Sequence, residues 1–206
     1  MFRNTFLILF FTLITFGSWA QGTKSKFSSL SSPEKWWVIW HPFKVKSALE
    51  GTIRTLEITD SIKNSNVIGD DINGGNLDAF KHAYWMADLS KRIGSKAALK
   101  LGEAHEKGNY RTFQKGETED GYLPDKASSD MDLFNNLAGA SLHGRSLVTS
   151  EKEMINEILN ALLQGELKII KKDGQLFLNC KGDVLDPKMI RGKWENDKCL
   201  IPSNSL

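Results

Sequence analysis

The chain has 206 residues, 40% hydrophobic and 25% charged, which excludes a disordered or fibrous protein and fits one compact domain with at most a small appendage. Its 27 basic and 25 acidic residues leave a formal charge of +2. Nucleic acid is therefore not the expected partner, because phosphate neutralisation needs a clustered basic excess. Two cysteines are too few for a disulfide scaffold or a four-cysteine zinc site.

Residues 1–20 read as a secretory signal. Arg3 precedes an apolar run from Phe6 to Phe16, and Gly17-Ser18-Trp19-Ala20 places small residues at both positions a signal peptidase reads before Gln21. The run is far shorter than the roughly 20 residues needed to span a bilayer, so no transmembrane anchor is expected after cleavage. No cysteine follows the cleavage position, and a lipoprotein anchor is not indicated. The expected product is exported, periplasmic or extracellular. It loses five of its 11 phenylalanines with the signal.

Residues 21–35, rich in Ser, Lys and Gly, read as a flexible leader. A helical domain is expected over 36–165, with its motif core at 70–145. It opens on Trp36-Trp37-Val38-Ile39-Trp40, where packing onto the domain is favoured over an exposed lipid- or glycan-contacting patch, given the area each ring buries. Val45, Ala48, Leu49, Ile53 and Leu56 then recur at helical spacing. Residues 64–77 form a loop whose Asp70-Asp71-Ile72-Asn73-Gly74 lacks the ligand spacing of a calcium-binding EF-hand.

Helices are expected over Leu77–Ile93 and Ser95–Lys107, joined at Gly94, followed by a polar connection of about 20 residues that suggests a lid or insertion. A further helix is expected over Ser129–Arg145, and another is announced by the capping box Ser150-Glu151-Lys152-Glu153 and ends at Gly165. In the 166–206 tail, Leu167–Lys171 and Gln175–Asn179 flank Asp173-Gly174 as a β-hairpin. Cys180 and Cys199 are expected to pair in a secreted chain. The fold class is therefore mainly α: a compact bundle of about four to five helices with a small C-terminal β-hairpin.

Three of the four histidines fall on the three central helices. Asp78, His82 and Trp85 are spaced i, i+4, i+7, and Asp132, Asn136, Gly139 and His143 form a second same-face series. His105 and Glu106 close the middle helix. Adjacent Asn135 and Asn136 inside a helix are not explained by propensity, because asparagine competes with the helical backbone. Small residues alongside, such as Ala83, Gly102 and Gly139, permit the close helix approach that a buried polar cluster requires.

Two readings compete for this cluster. In one, Asp78, His82, His105 and Asp132 hold a divalent metal, zinc first, with Glu106 or Asp132 as catalytic acid or base of a hydrolase. In the other, the same residues form a satisfied network that fixes helix register in a non-catalytic binding or structural module. A glycosidase-like pair of Glu106 and Asp132 is a third arrangement. His143 is expected near the helix end, and His41 is left out of the site.

The run DAFKHAYWMADL, the later GEAHE and the segment MDLFNNLAG resemble an uncharacterised bacterial family known as a domain of unknown function. Its pattern is approximately D-A-F-R/K-H-A-x-W, then A-H-E, then M-D-L-x-N-N-x-x-G. The resemblance falls on Asp78, His82, Trp85, His105, Glu106, Asp132, Asn135, Asn136 and Gly139, with Lys81 where arginine is usual. It implies a secreted or surface-attached protein, and by analogy an antibacterial toxin-like effector. It implies no particular reaction. A monomer is expected, with substrate and protein partner open.

Overall fold

The computed structural model describes residues 29–119, 121–144 and 150–205, so the expected signal at 1–20 and the leader up to residue 28 lie outside the described residues. The described chain is mainly α. Its elements are α1 (Ser32–Trp40), α2 (Val45–Ser65), α3 (Asn76–Ile93), α4 (Ser95–Lys115), α5 (Lys126–His143), α6 (Glu151–Leu163), β1 (Lys168–Ile170), β2 (Lys172–Asp173), β3 (Leu176–Phe177), α7 (Pro187–Ile190) and β4 (Leu200–Pro202).

α1 starts inside the segment read as flexible. Ser31 and Glu34 form a capping box, and a proline occupies the first turn, where its missing N–H costs nothing. The Trp37 indole is buried and donates to the Ala97 carbonyl at 3.0 Å, which docks α1 on α4. The expectation that the tryptophan cluster packs inward holds for Trp37 alone, since Trp36, Ile39 and Trp40 are exposed.

α3 is the axis of the domain, and α2, α4, α5 and α6 pack around it. Phe80, Tyr84, Ile158, Leu162, Leu167 and Ile169 fill one side, and Met86, Leu89, Leu101 and Trp37 fill another. Burial of such side chains contributes roughly 1.5 to 3 kcal/mol each. Close approach depends on small residues: a Cβ at Gly51 would lie 2.9 Å from Leu89 Cδ2.

α4 runs eight residues past the expected end at Lys107. Local composition is poor for a helix there, but Tyr110 and Phe113 pack on Trp194 of the tail, with ring centroids 4.7 and 5.3 Å apart. At Gly108 a Cβ would meet Ser31 Oγ at 2.6 Å. Tertiary contacts extend the helix, and the connection expected to span about 20 residues shrinks to 116–125.

The tail pairs differently from a single hairpin. β2 and β3 form a short one, with Lys172 opposite Phe177, whereas β1 pairs with β4, with Ile169 opposite Ile201. Ile169 and Ile170 are both buried, so β1 is covered on both faces rather than alternating. Cys180 and Cys199 are disulfide-bonded, with Cα atoms 4.8 Å apart and a sequence separation of 19. Replacing both by serine should lower the unfolding free energy by about 3 kcal/mol through the lost loop closure. Urea denaturation with and without reductant measures this directly.

Candidate metal centre

Asp78 stands in the first turn of α3, where the helix N-terminus favours a carboxylate. Its Oδ2 accepts the Gly74 N–H at 2.9 Å, and its Oδ1 lies 3.0 Å from Lys81 Nζ. The loop before it is held in turn by Lys172, whose Nζ donates to Asp71 Oδ2 at 2.6 Å, and by Ile170 N–H on the Gly74 carbonyl at 2.7 Å. Gly74 has φ +84°, and a Cβ there would strike Ile170 at 2.6 Å, so glycine is required on both counts.

One turn along α3, His82 points its Nε2 at α5. That atom lies 3.6 Å from Asp78 Oδ1 and 3.4 Å from Asp132 Oδ1. One ligand atom from each of the three residues lies within 4.8 Å of the others, and all three residues are buried. α5 is fixed at its N-terminus by Asp125, which caps Ser128 N–H at 2.9 Å and accepts from Lys198 Nζ at 2.5 Å and Asn196 Nδ2 at 2.9 Å. The disulfide-tied tail thereby sets the position of the helix that carries Asp132.

The cluster lines a cleft of about 50 Å³ together with Lys81, Glu119, Tyr122, Ser128 and Lys198. Among the described residues, Asp132 Oδ1, His82 Nδ1 and both polar atoms of the Asn136 side chain are buried without a hydrogen-bond partner. Burial, and then the Asp78 and Glu106 carboxylates, push Asp132 well above the usual carboxylate range. Burial also raises Asp78, against the opposing pull of Lys81 and the Gly74 N–H. Burial, and then the Lys81 and His105 charges, hold His82 well below the ordinary imidazole range. The Asn136 amide beside the ring favours the charged form without reaching hydrogen-bond geometry. A neutral imidazole and two carboxylates in one buried pocket are what a divalent cation would relieve.

His105 does not join this group. Its Nδ1 contacts Glu34 Oε1 at 3.2 Å and its Nε2 contacts Glu119 Oε1 at 2.9 Å, and these bonds outweigh burial and raise it well above the ordinary range. The Trp85 ring meets both imidazoles edge-on, at 5.5 Å to His105 and 6.4 Å to His82, and its Nε1 donates to Thr52 Oγ1. Glu106 is buried beside the site but does not line the cleft; its Oε2 accepts from Asn109 at 3.3 Å, and Ser129 lies beside the carboxylate. His143 lies in the last turn of α5, and His41 stacks on Trp37.

The two asparagines have separate tasks. Asn135 donates to the Lys168 carbonyl and accepts from the Lys168 N–H, both at 2.9 Å, and so acts as a neighbouring strand for β1. Asn136 lies beside His82, under Gly102, where a Cβ would come within 2.9 Å of its Nδ2. Glu34 and Glu119 escape a sequence reading, one because it sits in an apparent leader and the other in an apparent lid. The spacing Ser31-x-x-Glu34 was the available signal for the first.

Burial and the neighbouring Glu119 carboxylate push Glu106 up to about 7, against the opposing charge of His105. A folded-state value above the unfolded one means stability is full below about 4.5 and falls as pH rises toward 7. His105 acts in the same direction, its contribution being lost as pH climbs through its raised value. His82 and Glu34, both held below their ordinary ranges, act oppositely as pH falls, so the contrast lies in the variant: Glu106→Gln in the ion-free chain should recover about 3 kcal/mol near pH 8 and far less near pH 5. Urea denaturation in chelator at both pH values checks it; equal losses in wild type and variant would contradict it.

No curated protein and no solved structure matches the chain. A family model does match, over residues 35–166, the stretch that carries α2 to α6 and with them Asp78, His82, His105, Glu106 and Asp132. That match covers well over half of the sequence, and the chain belongs to the family described as Domain of unknown function (DUF6973).

Proposed function

We propose that the chain is a metal-dependent hydrolase that acts outside the cytoplasm, with Asp78, His82 and Asp132 holding a divalent cation. The observation that carries this reading is a set of three buried ligand atoms within 4.8 Å of one another lining a cleft, with Asp132 Oδ1 facing His82 Nε2 but making no hydrogen bond among the described residues. A network that served only helix register would pair its buried polar atoms. The orphaned atoms therefore favour an ion over a non-catalytic module. Three protein ligands would leave coordination positions for water or substrate, as catalytic sites do. Zinc suits the imidazole, and two carboxylates extend the choice to manganese.

Such an ion supplies Lewis acidity toward water or a substrate oxygen. The protein's own groups divide the remaining work. Lys81 and the Gly74 N–H orient Asp78. A hydrogen bond from His82 Nδ1–H to the neighbouring Asn136 side chain would leave Nε2 as the ligand atom. Glu119, in the cleft and held by His105, is the carboxylate positioned to move a proton, a role better suited to it than to the enclosed Glu106. The Cys180–Cys199 bond is compatible with export, and no described helix is long and apolar enough to cross a membrane.

Equilibrium dialysis of the purified chain against zinc or manganese, followed by elemental analysis, tests the reading. One bound equivalent is expected, together with chelator-sensitive hydrolysis in a panel of ester, phosphodiester and peptide substrates. Less than about a tenth of an equivalent, or hydrolysis indifferent to chelator, would overturn it.

A further inference from the structure

α1 lies antiparallel on α4. Ser31 sits over Gly108, Glu34 faces His105, and the Trp37 indole bonds to the Ala97 carbonyl. The three residues are three positions apart, so one side of α1 brings Glu34 to His105. A glutamate at the third position of a capping box has that one task, and Glu34 Oε2 performs it by accepting the Ser31 N–H at 2.7 Å. Its Oε1 is left to accept from His105 Nδ1 at 3.2 Å, and the side chain is 16% exposed. Burial alone would raise this carboxyl, but its bonds to His105 and Ser31 outweigh burial and hold it below the ordinary range.

Carboxylates only accept, so an imidazole flanked by two of them carries a hydrogen on each nitrogen. His105 Nε2 accordingly donates to Glu119 Oε1 at 2.9 Å. Glu119 lines the cleft but comes from the irregular 116–125 connection, between Gly116 at φ +70° and Gly121 at φ +87°. Such a backbone does not by itself aim a side chain as closely as proton transfer requires. A ring bonded at one nitrogen can still turn about its Cβ–Cγ bond. A ring bonded at both is fixed, and the group it donates to is fixed with it. The contacts from Glu34 through His105 to Glu119 thus run from a capped helix into the cleft.

We propose that Glu34 is a positioning residue of the hydrolytic site, acting through His105 to hold Glu119 where it accepts a proton, so that α1 belongs to the catalytic apparatus. This rests on the hydrolase reading above. The test follows hydrolysis of bis(4-nitrophenyl) phosphate and 4-nitrophenyl acetate by the zinc- or manganese-loaded chain. Glutamine at position 34 still accepts the Ser31 N–H but turns an amide N–H toward His105 Nδ1 in place of the acceptor. Glu34→Gln should therefore keep its circular dichroism and its bound ion, and lose about tenfold or more in kcat with KM within about twofold. Added to Glu119→Gln, it should lower kcat by less than about twofold, because it acts only through Glu119. Ser31→Ala loosens the same helix end without removing the carboxylate and should leave kcat within about twofold. Unchanged kcat in Glu34→Gln, losses that multiply in the double variant, loss of the fold or of the ion, or an equal fall in Ser31→Ala would each overturn the proposal. A loaded wild type inert toward both probes and toward peptides would contradict the hydrolase reading itself, and the proposal would fall with it.

Discussion

Replacing Asp132 with asparagine should weaken divalent-cation binding by at least about 100-fold while leaving the ion-free protein as stable as wild type, or more so, at neutral pH. The two effects have opposite signs because of where Asp132 sits. Its Oδ1 makes no hydrogen bond among the described residues, and burial with two nearby carboxylates penalises its ionised form. An amide of the same shape removes that penalty and also removes the anionic ligand. Were Asp132 a member of a satisfied structural network, the substitution would instead cost stability. Asp78→Asn provides the contrast, since Asp78 is engaged by Lys81 and the Gly74 N–H and its loss disturbs the start of α3. Calorimetric titration with zinc or manganese, beside urea denaturation in chelator, separates the two outcomes.

Gly139→Ala should destabilise the fold by about 3 kcal/mol or more, although alanine is intrinsically the better helix residue by about 1 kcal/mol. A Cβ at Gly139 would lie 2.0 Å from the Ala83 carbonyl oxygen, 2.7 Å from its carbon and 2.8 Å from its Cα. All three are backbone atoms of α3, so no side-chain rotation relieves the overlap and α3 and α5 must separate. Ala83 is the neighbour of His82, and separation would also pull His82 from Asp132 and weaken the ion. Gly144→Ala is the internal control: it has φ −73° and its added Cβ meets nothing closer than 3.4 Å. Its effect should stay below about 1 kcal/mol. Denaturant midpoints of both variants settle the comparison, and a neutral Gly139→Ala would show that the helices do not depend on this approach.

Those two positions also show what a sequence reveals and what it conceals. Asp78 and His82 share a face because they are one turn apart, and the helical domain follows from its apolar periodicity. Asp132 belongs to the same polar set by its place in the third motif. Its meeting with His82 is a matter of helix approach, which Gly139 signals only as a small residue. Its place on a central helix groups His105 with these, but spacing within α4 says nothing about Glu34, 71 positions away, or about Glu119 in an irregular segment. The end of α4 was hidden for the same reason, since its support is Trp194 on the far tail. Asn135 and Asn136 looked like one anomaly and resolve into two, a backbone partner for β1 and a neighbour for His82.

Anomalous diffraction from crystals grown with zinc or manganese addresses the centre most directly. The account predicts one peak between α3 and α5, about 2.0 to 2.2 Å from His82 Nε2 and from a carboxylate oxygen of both Asp78 and Asp132. A peak elsewhere, or a site without ion in which Asp132 simply hydrogen-bonds to His82, would contradict it.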